Sequence, residues 1–386
     1  MDREERRQET GWDCTRLKRL LRNTLRIVVA AFLLLLVMIS AEVVGGWRCK
    51  LQGQISPVAE SPERRAVTSG IKDYSRPEGD TFLSYPEWYI VWSYQEKADF
   101  QEKHLPSAFP YFGAARQYWS SYCCVSRLTG GKYPFNVGEQ LMLVVIGASF
   151  SAEYILKGVY ENTIGQASEW SSRHQFVEED QYAYRVAREY AAFVHVRPFY
   201  EFHFAGHVAG LWRETRLWGA YPWRKWERKL FLTADYTSEA LYCWLIEKLT
   251  HLSYGYEPAE TYAWLDNASE PLLEQLPQVR KVRQIGPREF IVAIPRYQEF
   301  TTVALALAER DVHFVEIAGN SQIAISVLAR PSWHYDQSDA HRLFSTPLLT
   351  TPDLERNVLV CRVSSLHAVL NTLEANQVRV EHIYDY

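Results

Sequence analysis

The chain has almost no charge bias: 42 Lys and Arg stand against 46 Asp and Glu, a formal net charge of -4 over 386 residues. No global field draws it toward nucleic acid, so any electrostatic partner has to be sought in local clusters. Its six cysteines (Cys14, Cys49, Cys123, Cys124, Cys243 and Cys361) form no C-x-x-C pair and no short His/Cys cluster. That spacing argues against a zinc finger or a thioredoxin-like site. Buried single thiols are expected, with pairing through the vicinal Cys123 and Cys124 as the alternative in an oxidising compartment. Walker A, G-x-G-x-x-G, G-x-S-x-G and paired-carboxylate motifs are missing, which removes the commonest nucleotide-binding and nucleophile-elbow enzymes. Gly130-Gly131-Lys132 lacks the glycine spacing and the hydroxyl residue of a phosphate loop. Aromatic residues, by contrast, are plentiful: 14% of the chain, with 13 Trp and 24 Tyr. Rings of this kind collect in cores, at membrane interfaces and in stacking sites. With 47% hydrophobic residues, the chain can bury cores for two or three domains.

The first long apolar run follows a basic tail, residues 1–26, in which Arg3, Arg6, Arg7, Arg16, Lys18, Arg19, Arg22 and Arg26 cluster. Residues 27–47 are then apolar on every side, with Ile27, Leu33 and Leu36 in the run and Trp47 as an interfacial stop. At about 1.5 Å per residue this covers roughly 30 Å, the thickness of a bilayer core. A transmembrane anchor in a cell (inner) membrane is expected, its cationic end in the cytoplasm. The competing expectation is a cleaved signal peptide ending near Ile39-Ser40-Ala41.

Residues 48–80 are Pro-, Ser- and Gly-rich without period and read as a linker. A helical membrane-proximal domain is expected over 81–256. Its first helix opens at Ser84-Tyr85-Pro86-Glu87, with Ser84 as cap. The aromatic density from Tyr85 to Tyr122 marks either an interfacial surface or a packed core. A second apolar run, Leu141 to Leu156, carries Gly147 and Ser151 four apart, a spacing that lets helices approach closely. Its lone carboxylate, Glu153, is a functional residue if the run enters the bilayer and a rim residue otherwise. If the run crossed the membrane, everything after it would return to the cytoplasm. Further helices are expected near 177–196 and 223–251. The second of these opens with Arg224, Lys225, Arg228 and Lys229, cations that oppose a helix dipole and suggest anionic lipid as a partner.

From residue 281 the pattern changes to short β-branched runs alternating with helices. Strands are expected at Phe290–Ile294, Val312–Ile317, Ile323–Leu328, Val358–Val363 and Val378–Ile383, with helices at 297–309 and 366–373. Two strand-helix-strand units make a ferredoxin-like α+β domain over 281–386, with Ile323–Leu328 as an extra strand. The closing run Val378-Arg-Val-Glu-His-Ile-Tyr-Asp-Tyr386 resembles the last strand of ACT domains, which implies a small-ligand or partner site there; Pro295-Arg296 stands where that family carries a glycine-bearing loop. The chain as a whole, through Tyr85-Pro-Glu-Trp-Tyr-Ile90, Phe109-Pro-Tyr-Phe112 and Arg224-Lys-Trp-Glu-Arg-Lys-Leu-Phe231, resembles a family of bacterial membrane proteins. That resemblance implies a shared architecture and no particular reaction.

One constellation could hold a metal or haem: Glu201, His203 and His207, with His195 upstream. On a helix His203 and His207 share a face, as zinc ligands do. In the alternating run Phe199–Phe204 read as a strand, Glu201 and His203 would share one instead. The expected class is therefore α+β with an N-terminal transmembrane helix, and the favoured role is non-catalytic: a ligand sensor, scaffold or assembly factor with no cofactor. A membrane-bound enzyme or redox protein centred on Glu201, His203 and His207 is the alternative.

Overall fold

The computed structural model describes residues 5–58, 62–253 and 260–385. The first four residues of the basic tail, and the side chains of Arg6, Arg7, Cys14 and Arg16, lie outside what is described. α1 (Glu5–Gly46) runs without a break from the cationic tail through the apolar run. The most apolar 18 residues within its stretch Arg22–Gly46 have a mean hydropathy of 2.8, and almost none of them is buried. Ile27, Leu33 and Leu36 project into open space. Only the last turns dock on the rest of the chain. Glu42 accepts from Arg116 Nε at 2.8 Å, and Trp47 packs edge-on against Tyr122. Gly46 lies so near that a Cβ there would fall 2.4 Å from the Arg116 carbonyl oxygen.

α2 (Pro62–Thr68) and α3 (Asp80–Leu83) lead into a helical body. Its long members are α4 (Tyr85–Gln101), α5 (Tyr111–Thr129) and α6 (Val137–Tyr160), the last passing through a π-turn into α7 (Gln166–Ser171). α8 (Glu178–Val194), α9 (Phe204–Glu214) and α10 (Pro222–Ser253) complete it. Ser84 does not cap α4; its hydroxyl donates to the Thr81 carbonyl within the preceding turn. Gly147 does serve close approach: a Cβ there would stand 2.0 Å from the Tyr118 ring, and neighbouring Ser151 accepts from Trp119 Nε1 at 2.9 Å. The dense aromatics from Tyr85 to Trp119 form cores rather than a membrane surface. Tyr85, Trp88, Tyr89, Trp92, Tyr111, Tyr118 and Trp119 are all buried, because α4 is wedged between α5, α8 and a β-sheet.

The remainder is built of two four-stranded sheets, antiparallel at every pairing. The first unit runs β1 (Glu260–Asp266), α11 (Glu270–Glu274), β2 (Arg280–Gln284), β3 (Phe290–Pro295), α12 (Gln298–Ala308), β4 (His313–Ile317), with spatial order β2-β3-β1-β4. The second runs β5 (Gln322–Ala329), β6 (Ala340–Pro347), β7 (Glu355–Arg362), α13 (Leu366–Ala375), β8 (Arg379–Ile383), with order β6-β7-β5-β8. Every strand and helix expected after residue 281 has its counterpart. The two strand-helix-strand units nevertheless fall in separate sheets, and Ile323–Leu328 is a central strand rather than an addition. Three strands carried too weak a pattern to be expected. β2 is a charged edge strand, Arg-Lys-Val-Arg-Gln, mostly exposed; β6 carries a register shift between Arg342 and Phe344; β1 alternates only loosely.

One core joins the inner faces of both sheets to α12 and α13 through Val292, Ile294, Phe314, Ile325, Leu359 and Leu370. The other face of the second sheet packs on the helical body, Phe344, Val358 and Val360 meeting Phe82, Tyr85 and Trp88. Arg356 pins this junction: it donates to Glu381 at 2.6 Å and to Glu96 at 3.0 Å, and its guanidinium lies 4.3 Å from the Trp92 ring centroid. The described parts of the 48–80 stretch are laid along the sheets. Gln52 N–H donates to the Leu343 carbonyl at 2.7 Å and Arg76 N–H to that of Ala318 at 2.8 Å. Cys49 reaches α5 and is disulfide-bonded to Cys124. The expectation of single thiols fails here, because the turn after α1 carries Cys49 onto the helix that bears Cys124. Cys123, Cys243 and Cys361 remain free and buried.

Candidate functional site

Part of the helical body, along α6 and α10, has its polarity inverted. Along α6 the outward residues are Val137, Leu141, Val145, Leu156 and Val159; along α10 they include Leu230, Leu241, Trp244 and Leu245. Each set falls on one face at 100° per residue. The inward faces carry charge. In the first turns of α10, Arg224, Lys225, Arg228 and Lys229 are each at most 3% exposed. Charged residues are buried this deeply only when paired, and every one of these is. Arg224 donates to Asp180 at 2.8 Å and to Glu227 at 3.1 Å. Arg228 donates to Glu161 at 2.7 Å. Lys225 reaches Glu179 at 3.0 Å, and Lys229 donates to the Thr215 carbonyl at 3.0 Å. The acidic opening of α8, Glu178-Glu179-Asp180, thus offsets the unfavourable dipole position of these cations. Their partners are carboxylates inside the fold, and no exposed cationic head on this turn faces an anionic lipid.

This seam of ions ends at a cavity of about 70 Å³ between α4, α6, α8 and α10, room for a few water-sized molecules. Its wall begins with Arg228 and Glu161 and continues through Lys97, Glu153, Asp235 and Glu239. Lys157 is its centre, donating to Glu153 at 2.7 Å and Glu239 at 3.3 Å and lying 3.1 Å from Asp235. Tyr94 donates to the other Glu153 oxygen at 2.8 Å. Glu153, the lone carboxylate of the apolar run, is therefore an inward, paired residue. Burial, reinforced by the neighbouring Glu153 charge, pushes the Glu239 carboxyl up to about 7 against the pull of Lys157. Lys97 sits differently. Its ammonium lies over the rings of Tyr111 and Tyr154 at 5.8 and 5.7 Å, outside any ion pair among the described residues. Burial, then the charge of Lys157, draws it down to about 8. An acid near 7 and a base near 8 share one small enclosure, the pattern of a binding or proton-handling site.

The sequence drew attention to Glu153 and to the α10 cations, but not to Lys97, Asp235 or Glu239. Those three sit three or four residues from an aromatic on helices whose inward face cannot be recognised until the outward face is known to be apolar.

Glu201, His203 and His207 are placed near one another without converging. Glu201 ends a 3-10 turn (Phe199–Glu201), His203 precedes α9, and both are exposed. His207, in the first turn of α9, stacks on Phe202 at 5.0 Å and faces Glu189 at 3.7 Å; burial lowers its pKa. The alternating run at 199–204 is a turn followed by a helix, not a strand. Among the described residues the one group of three metal-capable side chains that does converge is Asp311, His313 and His367. Comparison with known protein families, curated proteins and solved structures returned no match.

Proposed function

We propose that this is a membrane-anchored, non-catalytic binding protein, a sensor or assembly factor, whose helical body holds a small polar ligand beside the bilayer. The observation that carries it is the pairing of an outward apolar surface on α6 and α10 with an inward cavity of ions and tyrosines. Lys97 offers a cation held in no close ion pair among the described residues, and Glu239 and Asp235 line the same space. That layout suits a ligand carrying one acidic and one amino group, the acid toward Lys97. Tyrosine faces add attraction for its cationic end.

Two independent features support this placement. A cationic flank before α1 supports a cytoplasmic N-terminus. A disulfide between Cys49 and Cys124 supports an oxidising compartment for everything that follows α1, such as the outer side of a cell (inner) membrane. Both are met if α1 alone crosses and α6 lies against the membrane. The strand order of each β unit, with its hairpin and two crossovers, supports a tandem pair of ferredoxin-like modules, a frame often used for recognition.

The test is thermal-shift screening of the full-length, detergent-purified protein against amino acids and other small zwitterions. A stabilising ligand whose effect disappears in both Lys97→Met and Glu239→Gln is expected. A full panel without a shift, in protein that native mass spectrometry shows to carry no bound molecule, would count against the cavity as a binding site.

A further inference from the structure

Asp311, His313 and His367 come from three elements that meet at the junction of the two β units. Asp311 occupies the tight turn between α12 and β4, at a positive φ of 58°. Asn267, after β1, donates to the Asp311 carbonyl oxygen at 2.7 Å and to its Oδ2 at 3.2 Å, holding the carboxylate from behind. His313 opens β4, and its Nε2 stands 3.3 Å from Asp311 Oδ1. His367 is in the first turn of α13, its ring 3.9 Å from that of His313 at 25°. One ligand atom from each residue lies within 4.8 Å of the other two.

We propose that these three side chains bind a single divalent transition ion of the zinc class. A four-coordinate ion with bonds of about 2.0–2.1 Å keeps its ligand atoms about 3.3 Å apart. One pair already has that spacing, and the others close on it by side-chain rotation. Both imidazoles are partly exposed, so they are free to turn out of their stack toward an ion. Two imidazoles and one carboxylate suit zinc and its neighbours, whereas calcium and magnesium prefer oxygen donors alone. Asn267 supplies the outer hydrogen bond that metal-binding carboxylates commonly have. With three protein donors, the fourth position is left for water or for a group from a partner. The ion would tie β4 of the first unit to α13 of the second, two elements joined otherwise by apolar packing.

The experiment uses the full chain in detergent, stripped with a chelator and titrated with Zn²⁺, then with Co²⁺ followed by visible absorption. Expected are one equivalent of Zn²⁺, a tetrahedral cobalt spectrum, and a melting temperature that rises on adding zinc. His313→Ala and His367→Ala should each weaken binding at least about tenfold, the order expected for losing a group that supports a metal. His203→Ala with His207→Ala should leave it unchanged. Melting in the absence of metal shows whether each variant is folded, and His367→Gln replaces His367→Ala if that one is not. No stoichiometric binding by the natural protein would overturn the proposal. So would full binding by folded protein carrying both His313 and His367 substitutions, or loss of binding in the His203 and His207 variant.

Discussion

The α6–α10 side of the helical body and the core between the sheets solve the burial problem in different ways. Between the sheets, Val292, Ile325, Leu359 and their neighbours make an apolar core and the edge strand β2 carries its charge outward, while the buried ion pairs of this region, Arg356–Glu381 and Arg296–Asp385, are few. In the body, Arg224, Arg228, Glu179 and Asp180 are inside while Leu141, Leu241 and Trp244 are outside. A soluble domain gains nothing from the second arrangement, since it desolvates ions and leaves apolar surface in water. Against lipid the same arrangement is favourable, because the exposed face has an apolar neighbour and the ions satisfy one another. Under the proposed placement beside a bilayer, the difference between the two regions is a difference in the solvent each would face.

The largest effect that would sharpen this contrast is the loss of one buried ion. Arg228→Met leaves Glu161 without its cation and Asp180 with Arg224 alone, and is expected to destabilise by about 3–5 kcal/mol, read by thermal or chemical denaturation in detergent. In the β core the equivalent damage comes from a cavity: Leu359→Ala is expected to cost about 2–5 kcal/mol. A body that tolerated Arg228→Met as a surface substitution would be held by its apolar contacts, and the contrast would fail.

Next in size is the Cys49–Cys124 link, which ties the end of α1 to the body. Reduction, or Cys49→Ser, is expected to remove about 2–4 kcal/mol, visible as a melting shift.

A comparable effect separates the interior from ordinary surface charge. Because the folded-state pKa of Glu239 is raised, the folded protein binds that proton more tightly than the unfolded chain does. Its contribution is complete below the usual carboxylate range near 4.5 and is lost as pH rises through about 7. The span is on the order of 3 kcal/mol, and Glu239→Gln should flatten the stability profile across that interval. Lys97 acts in the opposite window: its lowered pKa makes the charged form costly, and that cost is relieved as pH rises above about 8.

The β region was largely legible from its residues and the body was not, for the same physical reason. Runs such as Phe290–Ile294 and Val358–Cys361 announce strands because they are apolar through and through and sit in a core. The helices at 178–194 and 222–253 were also found, within a few residues, from spacing alone. What spacing could not give was which face of α6 or α10 points inward. The usual assumption that apolar means inside assigns Arg224 and Arg228 to a surface, when their carboxylate partners lie 44 to 67 residues away along the chain. The edge strands β2 and β6 and the inner strand β1 were missed because their partners, not their own composition, make them strands. The pairing of Cys49 with Cys124 likewise depends on how α1 ends. Asp311, His313 and His367 are far apart in sequence and come together only through the packing of β4 on α13.

The smallest effect concerns the outward face itself: Leu241→Lys is expected to change stability in detergent by no more than about 0.5 kcal/mol, as for a surface position. Its environment in a bilayer is what matters. Single labelled cysteines at Val145 on α6 and Leu241 on α10, with Arg185 on α8 as the aqueous reference, should be compared in reconstituted vesicles using a lipid-soluble and a water-soluble quencher. The labels at Val145 and Leu241 should respond to the lipid-soluble quencher and be shielded from the aqueous one, opposite to Arg185. Equal access of the aqueous quencher to all three positions would contradict the inverted body and the membrane contact built on it.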